Sequence, residues 1–343
     1  MTDEGTAAPT VSVCIPTYNY ARFLPRTIGS VLDQTYDDLE VIVVDDASTD
    51  DTDEVMERYA DDPRVSYVKN DPNLGLFKNF NHCASLARGR YLKFLCADDW
   101  LDPRYLERTV PLLEADQRIG LVTNSHVLTD VDENPVTIEY APFGGRDRIP
   151  SQDAVDMLIR WHYPLGRPTN VVIRRELFDR VGGFDGDFAP TGDLQLWLRL
   201  LGEADLGAVR EPLCFVRAHE TKTHAFANDP TAMVFTVWRD AAAREGGLVD
   251  ERRLRKALAR EGVRCTVFAV DAALHGDFAQ AKHVMSYVWA NVPRATFPFI
   301  FLGHVPRIAR NFVTRMLAVR KRRFLLIEPN AKLGPPLSSG IPR

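Results

Sequence analysis

Two hydrophobic rhythms alternate over the first hundred residues. Short apolar runs close on turn residues at 11–16 (VSVCIP), 40–46 (EVIVVDD), 65–69 and 91–97, and these read as buried strands. Between them, apolar residues recur at helical spacing. Leu24, Ile28, Val31 and Leu32 predict a helix over 23–34; Val55, Met56 and Tyr59 predict a second, and 77–87 a third. Ser48 or Asp50 is placed to cap the second of these. Strands alternating with helices predict an α/β chain with a mostly parallel sheet covered on both faces. Such sheets bind ligands at the carboxyl ends of their strands. The polar clusters Thr17-Tyr18-Asn19, Asp45-Asp46 and Asp98-Asp99 all fall at those ends.

From Ile119 the pattern loosens into strands and loops, with helices expected at 152–161 and 194–201 and a strand near 214–217. Beyond about residue 225 the strand signals vanish. Residues 263–274 and 278–289 read as a helical hairpin turning at His275-Gly276-Asp277. The expected division is a flexible N-terminus (1–10), an α/β domain (11–225) with halves 11–118 and 119–225, and a helical C-terminal region (226–343).

Composition mainly excludes. With 343 residues, 45% hydrophobic and 26% charged, and a net charge of -5, the chain has the make-up of an ordinary globular protein and no electrostatic footprint of a nucleic-acid binder. Its 5 cysteines are odd in number, widely spaced and never in CxxC, which points to reduced thiols and away from a disulfide framework or a zinc site. No basic segment followed by an apolar core opens the chain. The longest apolar stretch, 295–305, is broken by Pro298, Gly303 and His304, short of the roughly 20 apolar residues that a bilayer span needs. A cytoplasmic protein is expected.

The chemistry-bearing residues are mostly carboxylates. Asp98 and Asp99 end a strand, where two adjacent carboxylates can share a hard cation with phosphate oxygens. They read equally as the acidic approach to a helix opened by Asp102-Pro103. Asp46 lies in a loop from which a carboxylate can accept from a pyrimidine N3–H or a ribose hydroxyl, or can simply shape a helix entry. Asp193 opens the helix carrying Leu196, Trp197, Leu198 and Leu200, placed as an N-cap or as a general base. Spacing alone does not separate these readings.

Taken in order, the motifs resemble those of the bacterial-type family 2 inverting glycosyltransferases. They are Ile15-Pro16-Thr17-Tyr18-Asn19, Val43-Val44-Asp45-Asp46-Ala47-Ser48-Thr49-Asp50, Asn73-Leu74-Gly75 and Ala87-Arg88-Gly89-Arg90-Tyr91. Then follow Phe94-Leu95-Cys96-Ala97-Asp98-Asp99-Trp100, Val181-Gly182-Gly183-Phe184-Asp185 and Gly192-Asp193-Leu194-Gln195-Leu196-Trp197-Leu198-Arg199. The resemblance implies the GT-A fold (Rossmann-like, mostly parallel, helices on both faces) with a C-terminal helical appendage. It makes 11–118 the nucleotide-binding half and 119–225 the acceptor half. By the same resemblance Pro16, Tyr18 and Asp46 hold the nucleobase, Lys78 joins the nucleotide-binding set, and Asp98 lies nearer the ribose. Asp99, with Asp98, would hold Mg²⁺ or Mn²⁺; His219 would approach the metal or the diphosphate, and Asp193 would deprotonate the acceptor. The implied reaction is a single in-line displacement with inversion, of the kind used in cell-envelope polysaccharide biosynthesis. It moves a sugar from a nucleoside diphosphate to a hydroxyl of a glycan or lipid-linked acceptor. UDP or dTDP is favoured because both present the same pyrimidine N3–H edge.

Two residues depart from the family pattern. Cys96 stands where many relatives have an aspartate, and is expected to pack rather than ligate, since thiolate prefers softer metals. Gly192 replaces the glutamate of a common Glu-Asp pair, removing a charge beside the expected base. A sugar nucleotidylyltransferase would carry a Gly-rich basic loop where this chain has Thr17-Tyr18-Asn19-Tyr20. An inactive relative serving as a binding or scaffold partner is opposed by the retention of Asp46, Asp98, Asp99 and Asp193. Acceptor contacts are expected between about 123 and 188, from Trp161, His162, Tyr163 and Asn170. Between 305 and 323 lie Arg307, Arg310, Arg315, Arg320, Lys321, Arg322 and Arg323 with no acidic residue, and Ile308, Phe312 and Met316 share one helical face. That pattern suits peripheral contact with an anionic membrane, on the inner face of the cytoplasmic membrane, or else a solvated basic tail or a dimer contact. Oligomeric state is not legible.

Overall fold

In chain order the strands are Val11–Thr17 (β1), Leu39–Asp45 (β2), Val65–Lys69 (β3), Tyr91–Phe94 (β4), Trp100–Leu101 (β5), Ile119–Thr129 (β6), Pro135–Glu139 (β7), Arg148–Ile149 (β8), Val171–Arg174 (β9) and Asp205–Arg217 (β10). The helices are Leu24–Leu32 (α1), Thr52–Glu57 (α2), Leu76–Leu86 (α3), Tyr105–Ala115 (α4), Ser151–Trp161 (α5), Arg175–Val181 (α6), Gly192–Glu203 (α7), Pro230–Ala243 (α8), Glu251–Leu274 (α9) and Phe278–Asn291 (α10). This computed structural model describes residues 8–218 and 230–292, apart from 141, 143, 144, 162–164, 245 and 275.

β1, β2 and β4 are buried at every position, which is why their sequences run apolar without alternation. The sheet order is β3-β2-β1-β4-β9-β6-β10-β5, with β7 added to β6 and β8 to β10. β3, β2, β1 and β4 are mutually parallel, Val13 lying opposite both Val41 and Lys93. β9 then runs antiparallel between β4 and β6, while β6 and β10 pair in parallel. The parallel arrangement expected from the sequence therefore holds through the first half, and the second half is mixed. Val11, Val13 and Ile15 join Leu24, Ile28 and Val31 of α1 and Tyr105, Leu106 and Val110 of α4 in one core. α3 packs on β1 and β2 from the other side, its Cys83 thiol reaching the Ile42 carbonyl.

Three local expectations change. The strand expected over 91–97 ends at Phe94, because pairing with β1 stops at Cys14 and the chain then turns, Asp99 N donating to Cys96 O (3.0 Å). Of the two residues expected to cap α2, Asp50 meets its start, accepting from Thr52 N (3.3 Å) and Thr52 Oγ1 (2.6 Å), while Ser48 does not cap it. Its hydroxyl donates to the Asp45 carboxylate and accepts from Asn19 N (2.8 Å), tying the loops after β1 and β2 together. The strand near 214–217 is only the end of β10, whose register shifts around Val209, Pro212 and Cys214 interrupt the apolar pattern. The hairpin of α9 and α10 is present, with α9 reaching back to Glu251. α9 packs on α5 and α8, and α8 packs on α7. No described helix is long and apolar enough to cross a membrane. Residues 305–323 lie outside the described residues.

Candidate active site

The carboxyl ends of β1, β2 and β4 open on one edge of the sheet. After β2, Asp46 is buried, and its carboxylate accepts from Asn70 Nδ2 (2.9 Å), Leu74 N (2.7 Å) and Gly75 N (2.8 Å). Its carbonyl accepts from Asn73 Nδ2 (2.7 Å). The Asn73-Leu74-Gly75 motif is thus folded onto Asp46, and Gly75, at φ 86°, makes the turn into α3 that L side chains resist. Asp45, fully buried, serves the fold: it accepts from Ser48 N (3.0 Å) and lies 3.5 Å from Lys69 Nζ.

Beyond β4 the turn carrying Asp98 and Asp99 is held from three sides. Thr27 Oγ1 of α1 lies 2.8 Å from the carbonyl oxygens of both Ala97 and Asp99. Asp99 Oδ2 accepts from Thr169 Oγ1 (2.5 Å) and Oδ1 from Arg217 N (3.0 Å). The buried Arg217 guanidinium donates to Asp98 O (3.2 Å), Val131 O (2.6 Å) and Glu133 Oε1 (3.0 Å), and lies over the rings of Phe23 and Trp100. Burial, reinforced by the neighbouring Asp98 charge, pushes the Asp99 carboxyl up to about 7. Donor atoms of Cys96, Asp98 and Asp99 lie within 4.8 Å of one another. Burial and the two carboxylates hold the Cys96 thiol far above its ordinary range, so it offers no thiolate. Two hard carboxylates, one of them raised by desolvation and like charge, suit a divalent oxygen-seeking cation.

Asp193 lies in the first turn of α7, and its Oδ1 accepts from Leu194 N (2.7 Å). The preceding Gly192 faces Phe77 so closely that an added Cβ would lie 2.5 Å from the ring. Phe77 is two residues past Gly75, so the Asp193 end of α7 abuts the loop that Asp46 folds. Phe77 in turn stacks on Phe184 (4.9 Å between centroids), and Phe184 exchanges two backbone hydrogen bonds with the Asn81 side chain (2.7 and 2.8 Å). From the next turn of α7, Trp197 Nε1 donates to Gly166 O (3.3 Å) in the loop leading to Thr169.

The Glycosyl transferase family 2 profile matches residues 12–182, and an uncharacterized glycosyltransferase of Nostoc sp. is 31% identical over 65% of this chain and 69% of its own length. The chain belongs to glycosyltransferase family 2. Among solved structures, S. aureus TarS 1-349 in complex with UDP-GlcNAc gives a TM-score of 0.65 at 17% identity, covering 93% of this chain and 94% of that one. The mannosyltransferase PcManGT from Pyrobaculum calidifontis, in complex with GDP-Man and Mn²⁺, gives 0.55 at 20% identity over 89% and 87% of the two chains. At such identities the likeness is one of fold, the GT-A fold. The protein is a glycosyltransferase.

Within this glycosyltransferase the other expected site residues are placed unequally. Pro16 is buried in β1 opposite Val44, while Tyr18 stands 42% exposed on the turn beyond it. Lys78 is exposed in the first turn of α3 and makes no ion pair among the described residues. Trp161 ends α5 at 54% exposure, with Arg160 over its ring. Asn170, expected to meet an acceptor, is instead fully buried, its side chain bonded to Arg167 N (3.1 Å) and Asn124 O (3.3 Å). A side chain so enclosed shapes its own loop. His162, Tyr163 and His219 lie outside the described residues. Sequence reading missed Thr169, Arg217 and Lys93. For Lys93 there was a signal, a lone cation inside an apolar strand, whereas Thr169 sits in an unremarkable Pro-Thr-Asn turn.

Proposed function

We propose that the protein moves a sugar from a UDP- or dTDP-linked donor to a hydroxyl of a glycan or lipid-linked acceptor, by single displacement with inversion. The observation that carries this reading is the grouping of Asp98 and Asp99 on the same sheet edge as the Asp46 loop, which Gly192-Asp193 abuts through Phe77. Asp98 and Asp99 would hold Mg²⁺ or Mn²⁺, which when bound offsets the charge gathering on the departing diphosphate. A carboxylate has about four acceptor positions. Three on Asp46 meet protein donors, and Oδ2, with one of them, keeps capacity for a pyrimidine N3–H. Tyr18 offers an exposed ring for stacking on the base, and Lys78 a cation for the nucleotide phosphates. Asp193 takes the acceptor proton as the bond to the sugar forms, and His219 remains assigned to the metal or diphosphate by resemblance alone.

A donor panel assayed with Mn²⁺ tests the activity, and Asp193→Asn tests the mechanism. The variant should lose about 10²–10⁴-fold in transfer rate while binding UDP as the wild type does. Wild-type turnover would remove Asp193 from the reaction. Peripheral membrane contact through 305–323 is part of the proposal on sequence grounds. Co-sedimentation with anionic vesicles should disappear once 305–343 is deleted, and equal binding after deletion would end that idea.

A further inference from the structure

We propose that Lys93 is a positioning residue for the Asp99 carboxylate and acts on it through Thr169. The inference rests on the reading of Asp98 and Asp99 as cation ligands. Lys93 lies in β4 between Leu92 and Phe94, fully buried, and no carboxylate pairs with it among the described residues. Its ammonium donates instead to the Thr169 carbonyl and to the Tyr105 hydroxyl (3.0 Å). The Tyr105 hydroxyl donates onward to the Asn170 carbonyl (3.1 Å). One amine therefore anchors two successive carbonyls of the Pro168–Asn170 turn, the first directly and the second through Tyr105.

That turn presents the Thr169 hydroxyl to the site. Thr169 Oγ1 accepts from Cys96 N (3.2 Å), so its single proton is directed to Asp99 Oδ2 (2.5 Å). With Arg217 N on Oδ1, the hydrogen bond fixes the carboxylate plane and thereby which lone pairs face a cation. An ammonium buried without a carboxylate partner is costly, and a leucine or methionine would fill this strand position more cheaply. Two of its donors account for its presence: one meets the Thr169 carbonyl, which the Cys214 thiol also reaches (3.1 Å), the other meets the Tyr105 hydroxyl, and an apolar side chain supplies neither.

The test measures Mn²⁺ binding to the full chain by the loss of the free-ion electron paramagnetic resonance signal, with UDP present. Calorimetry of UDP binding without metal runs in parallel. Lys93→Met and Thr169→Val should each weaken Mn²⁺ binding about 10- to 100-fold, the usual effect of losing a partner that orients a metal ligand. Metal-free UDP binding should hold, and Thr169→Ser should restore Mn²⁺ affinity. If Lys93→Met does not fold, Tyr105→Phe replaces it, deleting one arm of the anchor and keeping the ring, with a several-fold loss expected. Wild-type Mn²⁺ affinity in folded Lys93→Met (or in Tyr105→Phe where it replaces it), or in Thr169→Val, overturns the inference, provided Asp99→Ala has lost binding. If Asp99→Ala also binds like the wild type, or the wild type binds no Mn²⁺, the cation reading itself fails and takes the inference with it.

Discussion

Removing the Asp46 side chain would strip acceptors from Asn70 Nδ2 and from the amides of Leu74 and Gly75 at once. Asp46→Ala should therefore lower stability by about 2 kcal/mol, since hydrogen bonds to a charged acceptor are individually worth about 1.5–3 kcal/mol and water can reach part of the loop. Urea unfolding measures it, and UDP affinity should fall with it. Lys93 gives a pH signature. Burial pulls it from 10.5 down to about 8. Below pH 8 both the folded and unfolded chains carry its proton, and between 8 and 10.5 only the unfolded chain does. Stability of the wild type relative to Lys93→Met should thus rise with pH across that window, by on the order of 3 kcal/mol. Denaturant titrations at pH 7.5 and 10 check the sign; a difference that shrinks with rising pH would refute it. At this scale the sequence displayed Asp46, Asp98, Asp99 and Asp193, each inside a contiguous motif. It did not display Thr169, whose importance comes from a partner 70 residues away.

Helix and strand ends carry the site, and their neighbours decide which side chains fit. Gly192, which departs from the Glu-Asp pair that the family resemblance leads one to expect, touches the face of Phe77, a ring already clamped by Phe184. The departure thus has a steric counterpart besides the missing charge. Gly192→Ala should cost about 1–3 kcal/mol through overpacking. Adding Phe77→Leu should recover part of that loss, read as coupling in a double-mutant thermal unfolding cycle. Additive effects would mean that the ring yields freely. The early end of β4 was hidden in the sequence because Leu95 and Cys96 prolong the apolar run. Only the register with β1 showed where pairing stops and the turn to Asp98 begins.

Across the whole molecule, the helices after β10 support the half that carries Asp193. α8 buries Phe235 and Trp238, Trp238 Nε1 donating to Glu261 Oε1 of α9 (3.2 Å), and Gln195 of α7 reaches Asp240 of α8 (3.3 Å). A chain ended at residue 229 keeps Asp46, Asp98, Asp99 and Asp193 but uncovers the side of α7 that carries Gln195. It should unfold at a lower temperature and lose transfer. Trp238→Ala in the full chain should cost about 3–5 kcal/mol, and calorimetry that finds either change silent would detach these helices from the catalytic half.

Hydrophobic period and local turn chemistry were enough to establish the alternating strands and helices, the parallel first half and the carboxylates at its edge. Each of those depends on residues close together in the chain. Tertiary structure alone decided what surrounds those carboxylates. Asp99 meets Thr169 and Arg217 at separations of 70 and 118 residues because the order β4-β9-β6-β10 lays those strand ends side by side. Strand order follows from how the whole sheet buries its faces, a balance to which no short stretch of sequence has access.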